Sequence, residues 1–145
     1  MREGEASSTA LRASVIRTAH QIVDDSPHIL EDAISPLLID DAVIERMRRE
    51  PEVYRSMVAR SLRSHIVLRS RYAEDELRDA TIRGVNQYMN LGAGYDTFSY
   101  RQPEWAAHLH VVEVDHPVTQ REKRAYFAAK GLKDPDNLAF TCGGS

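Results

Sequence analysis

Cysteine is almost missing from this chain: Cys142 stands alone in 145 residues. That excludes an intramolecular disulfide and suits a reducing compartment. Long apolar runs are missing too. The stretch 11–23 is interrupted by Arg12, Arg17, His20 and Gln21, so it does not read as a signal peptide, and no run approaches the ~20 apolar residues that span a bilayer. No membrane association is expected, and the cytoplasm is the expected location. A basic excess is absent as well. The formal net charge of -3 argues against nucleic acid as a partner, because such partners are usually met by surplus lysine and arginine. His20, His28, His65, His108 and His110 show no zinc-ligand spacing with one another or with Cys142, so no metal is expected. No nucleophile, base and orienting acid can be assembled either, and the catalytic residues stay unknown.

What is present fits a globular protein with a real core. Hydrophobic residues make up 42% of the chain and charged residues 28%, and the length allows one ordinary domain. Arg46, Arg48, Arg49, Arg55, Arg60, Arg63, Arg69 and Arg71 make one region locally basic. Acids alternate with them at helical spacing, which reads as a solvated helix face.

The first part of the chain is helical in pattern. Leu11, Val15, Ala19, Ile22 and Val23 recur at spacings of three and four, with N-cap oxygens on offer at 7–9. Ser26 and Pro27 end this helix. The apolar stretch 34–39, broken by Pro36, reads as a packed connector. A short helix is expected over 41–49, a longer one marked by Val53, Met57, Leu62 and Ile66 up to about 68, and another over 73–82 with Gly84 terminating it. From Val85 the pattern changes to strand (88–91), tight turn, strand (110–114), helix from Pro117 to the neighbourhood of Gly131, and a third strand (138–141). Such alternation implies a parallel sheet with the strands in the order third, second, first.

The turn carries the chemistry. Gly92, Ala93, Gly94, Tyr95, Asp96 and Thr97 follow the first, apparently buried strand, and glycines there let bare backbone approach a ligand. About twenty residues on, Asp115 ends the second strand, where an acid can accept hydrogen bonds from the two hydroxyls of a ribose. Each feature has a blander reading. The turn can be purely structural, and Asp115 can cap the helix that begins near Pro117. Thr97 stands where the dinucleotide fingerprint has its third glycine, which argues against the usual NAD turn. Glu113 shares the strand end and, by alternation, the face of Asp115, so it is a second-choice ligand. His116, beside Asp115, suits a helix-initiating turn better than a base. Tyr100 and Trp105 are expected to pack beside the short segment after the turn.

The runs LGAGYDTFSYR (91–101), EVDHPVTQREKR (113–124) and RSRYAEDEL (69–77) together resemble the leucine carboxyl methyltransferase family of class I S-adenosylmethionine-dependent methyltransferases, which includes many bacterial O-methyltransferases. The resemblance extends from about residue 18 to about residue 140. It implies an α/β fold: an N-terminal helical part (1–84) forming a cap over the cofactor site, then the first half of a Rossmann-like parallel sheet (85–145). It implies S-adenosylmethionine as cofactor, with backbone groups of Gly92, Ala93 and Gly94 close to its amino-acid part and Asp115 on the ribose. Arg69, or as second choice Arg71, would pair with the methionine carboxylate, although either arginine also suits an ion pair with Glu74 or Asp75. Asp96 and Thr97 would order the turn. The implied reaction is methylation of a carboxylate or hydroxyl oxygen on a small molecule or peptide. A sheet of this class continues with further strands beyond the first, so a fragment, a truncated product or a subunit needing a partner is expected, and its first strand would be an exposed edge. The alternative function is a non-catalytic remnant or interaction module that oligomerises, or takes up a partner chain, through that edge.

Overall fold

In the computed structural model of the chain, which describes residues 3–142, the N-terminal periodicity forms one long helix, α1 (Glu3–Val23). It is already under way at 7–9, so the expected N-cap there is corrected, and the side chains of those residues lie outside the described ones. The inward face of α1 is unusually polar: Ser14, Arg17, Thr18 and His20 are buried beside Ala19 and Val23. After it, Asp32 is buried, and a single 3-10 turn (Ser35–Leu38), with Pro36 in its first positions, delivers Leu38 and Ile39 to the interior.

Helix α2 (Asp41–Arg49) begins where the Asp40 carboxylate accepts the Ala42 N–H at 2.8 Å. Helix α3 (Pro51–Arg55) is one turn, and α4 (Met57–Ile82) is continuous over 26 residues. This corrects the expected division near 68–73. The break falls instead at Ser56, an extended residue whose hydroxyl caps α4 by accepting the Ala59 N–H. Between 57 and 82 there is neither proline nor glycine to interrupt the helix. The apolar pattern lapses there because Arg71, Glu74 and Asp75 form ion pairs along one face. The arginine-rich region is mostly the solvated face expected, with pairs such as Arg46 with Glu50 and Arg48 with Glu45. Arg63 is the exception: it is buried and bound to Asp24.

Strands β1 (Gln87–Leu91), β2 (His110–Asp115) and β3 (Leu138–Cys142) form a parallel sheet in the order β1-β2-β3. Helix α5 (Pro117–Ala129) crosses from β2 to β3, while two 3-10 turns (Phe98–Tyr100, Glu104–Ala106) fill the connection from β1 to β2. Tyr88, Val111 and Leu138 lie in register, as do Asn90, Glu113 and Phe140. Both rows point to one face, where Leu77, Phe98, Leu109 and Trp105 pack with the first of them. A second cluster joins Leu38 and Ile39 to Tyr95 and Phe127. Each cluster draws residues from both sides of position 84, so the helical part and the sheet share one interior. The expectation that the first strand is buried is corrected. It is the edge, with Met89 59% and Leu91 71% exposed, because its outward residues have no layer against them among the described residues. No helix of the described residues is long and apolar enough to cross a membrane.

Candidate functional site

The chain leaves β1 through a turn that only glycine makes easily: Gly92 has φ +67 and Gly94 φ +50. The N–H groups of Gly92 and Ala93 both reach the carbonyl of Val114, at 2.8 and 3.2 Å. The Gly94 N–H donates to Asp115 Oδ2. All three donors of the turn are therefore spent on β2. Among the described residues the carbonyls of Gly92 and Gly94 accept no hydrogen bond. The turn thus offers acceptors to a ligand, which suits an ammonium group. A pyrophosphate would need the N–H groups.

Helix α1 packs against the turn. Ala10, Ser14 and Arg17 recur at helical spacing on one face. A Cβ built on Gly94 would come within 3.1 Å of Ala10 Cβ. Ser14 Oγ donates to the Tyr95 carbonyl at 3.4 Å, and Arg17 Nη2 donates to the same oxygen at 2.6 Å. Arg17 Nη1 reaches Asp96 Oδ2 at 3.1 Å, while Asp96 Oδ1 accepts the Phe98 N–H at 2.9 Å. Burial works to raise the Asp96 pKa, but the charge of Arg17, then Lys123, the Phe98 N–H and Arg101 outweigh it and hold the carboxyl below its ordinary range.

In front of the turn lies a cleft of about 580 Å³ walled by α1, α4 and β1, a size within the range of small-molecule sites. Its walls bring Gly92, Ala93 and Gly94 together with Arg69, and add Arg12, Arg17 and Tyr88. Among the described residues Arg69 has no ion-pair partner, although its carrier helix is rich in acids. Arg71 is not brought to this cleft. It pairs with Asp75 on an exposed face and borders a separate hollow of about 340 Å³ with Arg78 and Trp105. Asp115 does not line the cleft directly but is bonded to Gly94, which does. The helix cap that Asp115 was an alternative for is made by His116, whose Nδ1 accepts the Val118 N–H at 3.3 Å. Burial pushes the Tyr88 hydroxyl up to about 12, so at neutral pH it is not a base.

Glu113 is placed away from the cleft. It is buried, with both oxygens 2.8 Å from Lys123 Nζ and Oε1 accepting from Ser99 Oγ at 2.6 Å. Alternation assigned it a face correctly. What it could not reveal was the lysine one crossover later that occupies both carboxylate oxygens. Tyr100 packs on Phe127 and Trp105 beside Phe98, at centroid distances of 4.1 and 6.1 Å. Among the described residues no group of three or more histidine, cysteine, aspartate or glutamate side chains could hold a metal.

Sequence reasoning missed Ser14, Arg17 and Asp32. The available signal was Arg17 itself, a charge interrupting the apolar stripe of α1, where a buried cation has to find buried acceptors.

Comparison with known proteins brings one family forward. The family model described as leucine carboxyl methyltransferase matches residues 10–142. A protein of Bacillus subtilis (strain 168), YktD, named as a candidate S-adenosyl-L-methionine-dependent methyltransferase, is 34% identical over 160 aligned positions covering 97% of this chain and 52% of that protein. One of the same description from Mycobacterium sp. (strain KMS) is 30% identical over 71% of this chain and 41% of its own length. Another from Mycobacterium bovis (strain BCG / Pasteur 1173P2) is 37% identical over 52% of this chain and 25% of its own. The chain spans about half, or less, of the length of these curated relatives.

Proposed function

The chain belongs to the leucine carboxyl methyltransferase family, and from that premise we propose that its cleft binds S-adenosylmethionine and that the protein serves methyl transfer to a carboxylate or hydroxyl oxygen of a small molecule or peptide. One observation carries the reading: Arg69, which among the described residues has no ion-pair partner, lines the same cleft as a glycine turn whose N–H groups are spent and whose Gly92 and Gly94 carbonyls accept no hydrogen bond from the described residues. That donor set fits an amino acid, with its carboxylate on Arg69 and its ammonium on the turn carbonyls. Asp115 accepts the Gly94 N–H on Oδ2 and the His116 N–H on Oδ1, and each oxygen keeps a lone pair for ribose hydroxyls next to that turn. When bound, S-adenosylmethionine supplies an electrophilic methyl group. An ionised carboxylate acceptor would need no general base, the thioether leaving as the methyl–sulfur bond breaks, so alignment and exclusion of water are what the chain's residues would contribute.

Isothermal titration of the full chain with S-adenosylmethionine tests the reading. Saturable binding that is lost in Asp115→Ala supports it. Absence of heat, or tighter binding of NAD, overturns it.

A second reading rests on a different observation, the uncovered edge of β1. It carries no charged residue and no proline, and its own Met89 and Leu91 are exposed. Edges of this kind pair with another chain, and we propose a second copy as the partner. Light scattering that finds only monomer at high micromolar concentration removes this reading.

A further inference from the structure

Asp32 lies in the loop after α1, far in sequence from the glycine turn, and is fully buried. Its carboxylate accepts the N–H groups of Ile34 and Ser35 at 3.2 and 2.9 Å and a short bond from the Ser35 hydroxyl. A fourth hydrogen bond comes from across the molecule, from Thr97 Oγ1 at 2.7 Å. Four bonds fill what a carboxylate can accept. Two guanidiniums flank the group at ion-pair distance: Arg17 Nε at 3.8 Å and Arg101 Nε at 3.6 Å.

Each of those partners continues to the candidate cofactor site. Thr97 ends the motif that follows the glycines. Arg17 binds the Tyr95 carbonyl and the Asp96 carboxylate. Arg101 donates to Thr97 Oγ1 at 3.1 Å and grips Glu74 of α4 with both terminal nitrogens. Glu74 is five residues along α4 from Arg69, so the same helix that would present the carboxylate ligand is held to the same node. A buried cluster of this kind is costly to desolvate and adds little net stability, but its hydrogen bonds and charge pairs hold its members in one arrangement. Arg17 Nε shows how closely the node depends on Asp32. Among the described residues it has no hydrogen-bond partner of its own, and Asp32 is one of the two carboxylates beside that guanidinium.

We infer that Asp32 is the positioning residue of the cofactor site: through Thr97, Arg17 and Arg101 it fixes the turn that carries Gly92 and Gly94 relative to α1 and α4. Asp32 touches no ligand itself. The inference rests on the proposed S-adenosylmethionine site, and it makes the geometry of that site depend on a residue outside it.

The test uses the full chain and three variants: Asp32→Asn, which keeps shape and removes charge; Thr97→Val, which keeps shape and removes the hydroxyl that joins Asp32 to Arg101; and Met47→Ala, a buried change in α2 that lowers stability without touching the node. S-adenosylmethionine affinity and hydrogen exchange of the turn amides are measured for each. Asp32→Asn and Thr97→Val should each weaken binding roughly tenfold, the double variant should be little worse than either single one, and exchange over 92–101 should accelerate. Met47→Ala should lower the melting temperature at unchanged affinity. Equal affinity and equal protection in Asp32→Asn and wild type would overturn the inference while leaving the cofactor reading intact. If the unaltered chain binds no S-adenosylmethionine, the cofactor reading fails, and the exchange data decide by themselves whether Asp32 orders the turn. Should Asp32→Asn not fold, Thr97→Val carries the same comparison.

Discussion

The backbone N–H of Gly94 donates to the carboxylate of Asp115, joining the turn after β1 to the end of β2. Its other oxygen accepts the His116 N–H at 2.6 Å, so one acid fixes both the glycine turn and the start of α5, and under the proposed function its remaining lone pairs would also serve a ribose. Asp115→Ala should lose both the anchoring and the ribose contacts. Charge-assisted hydrogen bonds to two hydroxyls are together worth about 3 kcal/mol, which is a loss of about a hundredfold in S-adenosylmethionine affinity. Leaving the Gly94 N–H without a partner should cost a further ~1–3 kcal/mol of stability. Calorimetric titration and denaturant unfolding of the same variant check the two effects separately.

Glu113, two residues earlier, should behave in the opposite way. It shares the ion pair with Lys123 in a site where both side chains are about 1% exposed. Removing one charge leaves the other buried and uncompensated, so Glu113→Gln or Lys123→Met should lose about 3–5 kcal/mol of folding stability. Cofactor affinity of the folded fraction should hold. An affinity loss at Glu113 matching that at Asp115, with stability unchanged, would return Glu113 to the ligand set.

The contrast between these two acids shows what a sequence can convey. Local rules reached β2, α5 and the place of His116 in the helix-initiating turn, though not that His116 rather than Asp115 is the cap, because strand alternation, Pro117 and Gly131 act within a few residues. The parallel order β1-β2-β3 followed from the alternation of strands and helix. What stayed hidden were pairings between distant segments: Lys123 under Glu113, Asp32 against Thr97, Arg17 against Asp96. The continuity of α4 was hidden for a related reason. Its middle is polar through ion pairs, and only the tertiary partner of Glu74, Arg101, explains why one of those acids is partly buried there.

Arg69 and Arg71 are separated by one residue and divided by the helix. Arg69 borders the cleft, and Arg71 borders the other hollow with Asp75. Arg69→Met should weaken S-adenosylmethionine binding by tenfold or more, by the ~1.5–3 kcal/mol that hydrogen bonds to charged groups contribute. Arg69→Lys should recover part of it, since an ammonium lacks the paired geometry of guanidinium. Arg71→Met should leave affinity unchanged, because an exposed i,i+4 pair is worth only ~0.5 kcal/mol of stability. The reverse order would move the carboxylate site to the second hollow.

The two glycines of the turn should respond unequally to alanine. Both hold positive φ, which costs an L side chain about 1 kcal/mol. A Cβ on Gly92 meets nothing within 4 Å, whereas one on Gly94 meets Ala10 Cβ at 3.1 Å. Gly94→Ala should therefore push the turn and α1 apart and cost more stability than Gly92→Ala. Shortening the neighbour in Ala10→Gly should restore part of the loss in Gly94→Ala and do nothing for Gly92→Ala. Melting temperatures of the five chains, wild type included, decide it.

Acid should loosen the joint between α1 and α4 at a defined point. Asp24 receives Arg63 Nε at 2.7 Å and Nη2 at 2.6 Å, and His20 Nδ1 lies 2.7 Å away. Burial works to raise its pKa, but the hydrogen bonds from Arg63 and His20 and their charges prevail and lower it from 3.8 to about 2. A carboxyl lowered in the folded state binds its proton more readily unfolded. Its contribution is thus complete above 3.8 and is lost as the pH falls through about 2. The shift corresponds to on the order of 2 kcal/mol, reduced somewhat because the side chain is 30% exposed. Asp24→Asn should be less stable than wild type at pH 6, and the difference should shrink between pH 4 and pH 2. Parallel stability curves across that window would show that the Asp24 and Arg63 pair does not set the acid limit of this fold.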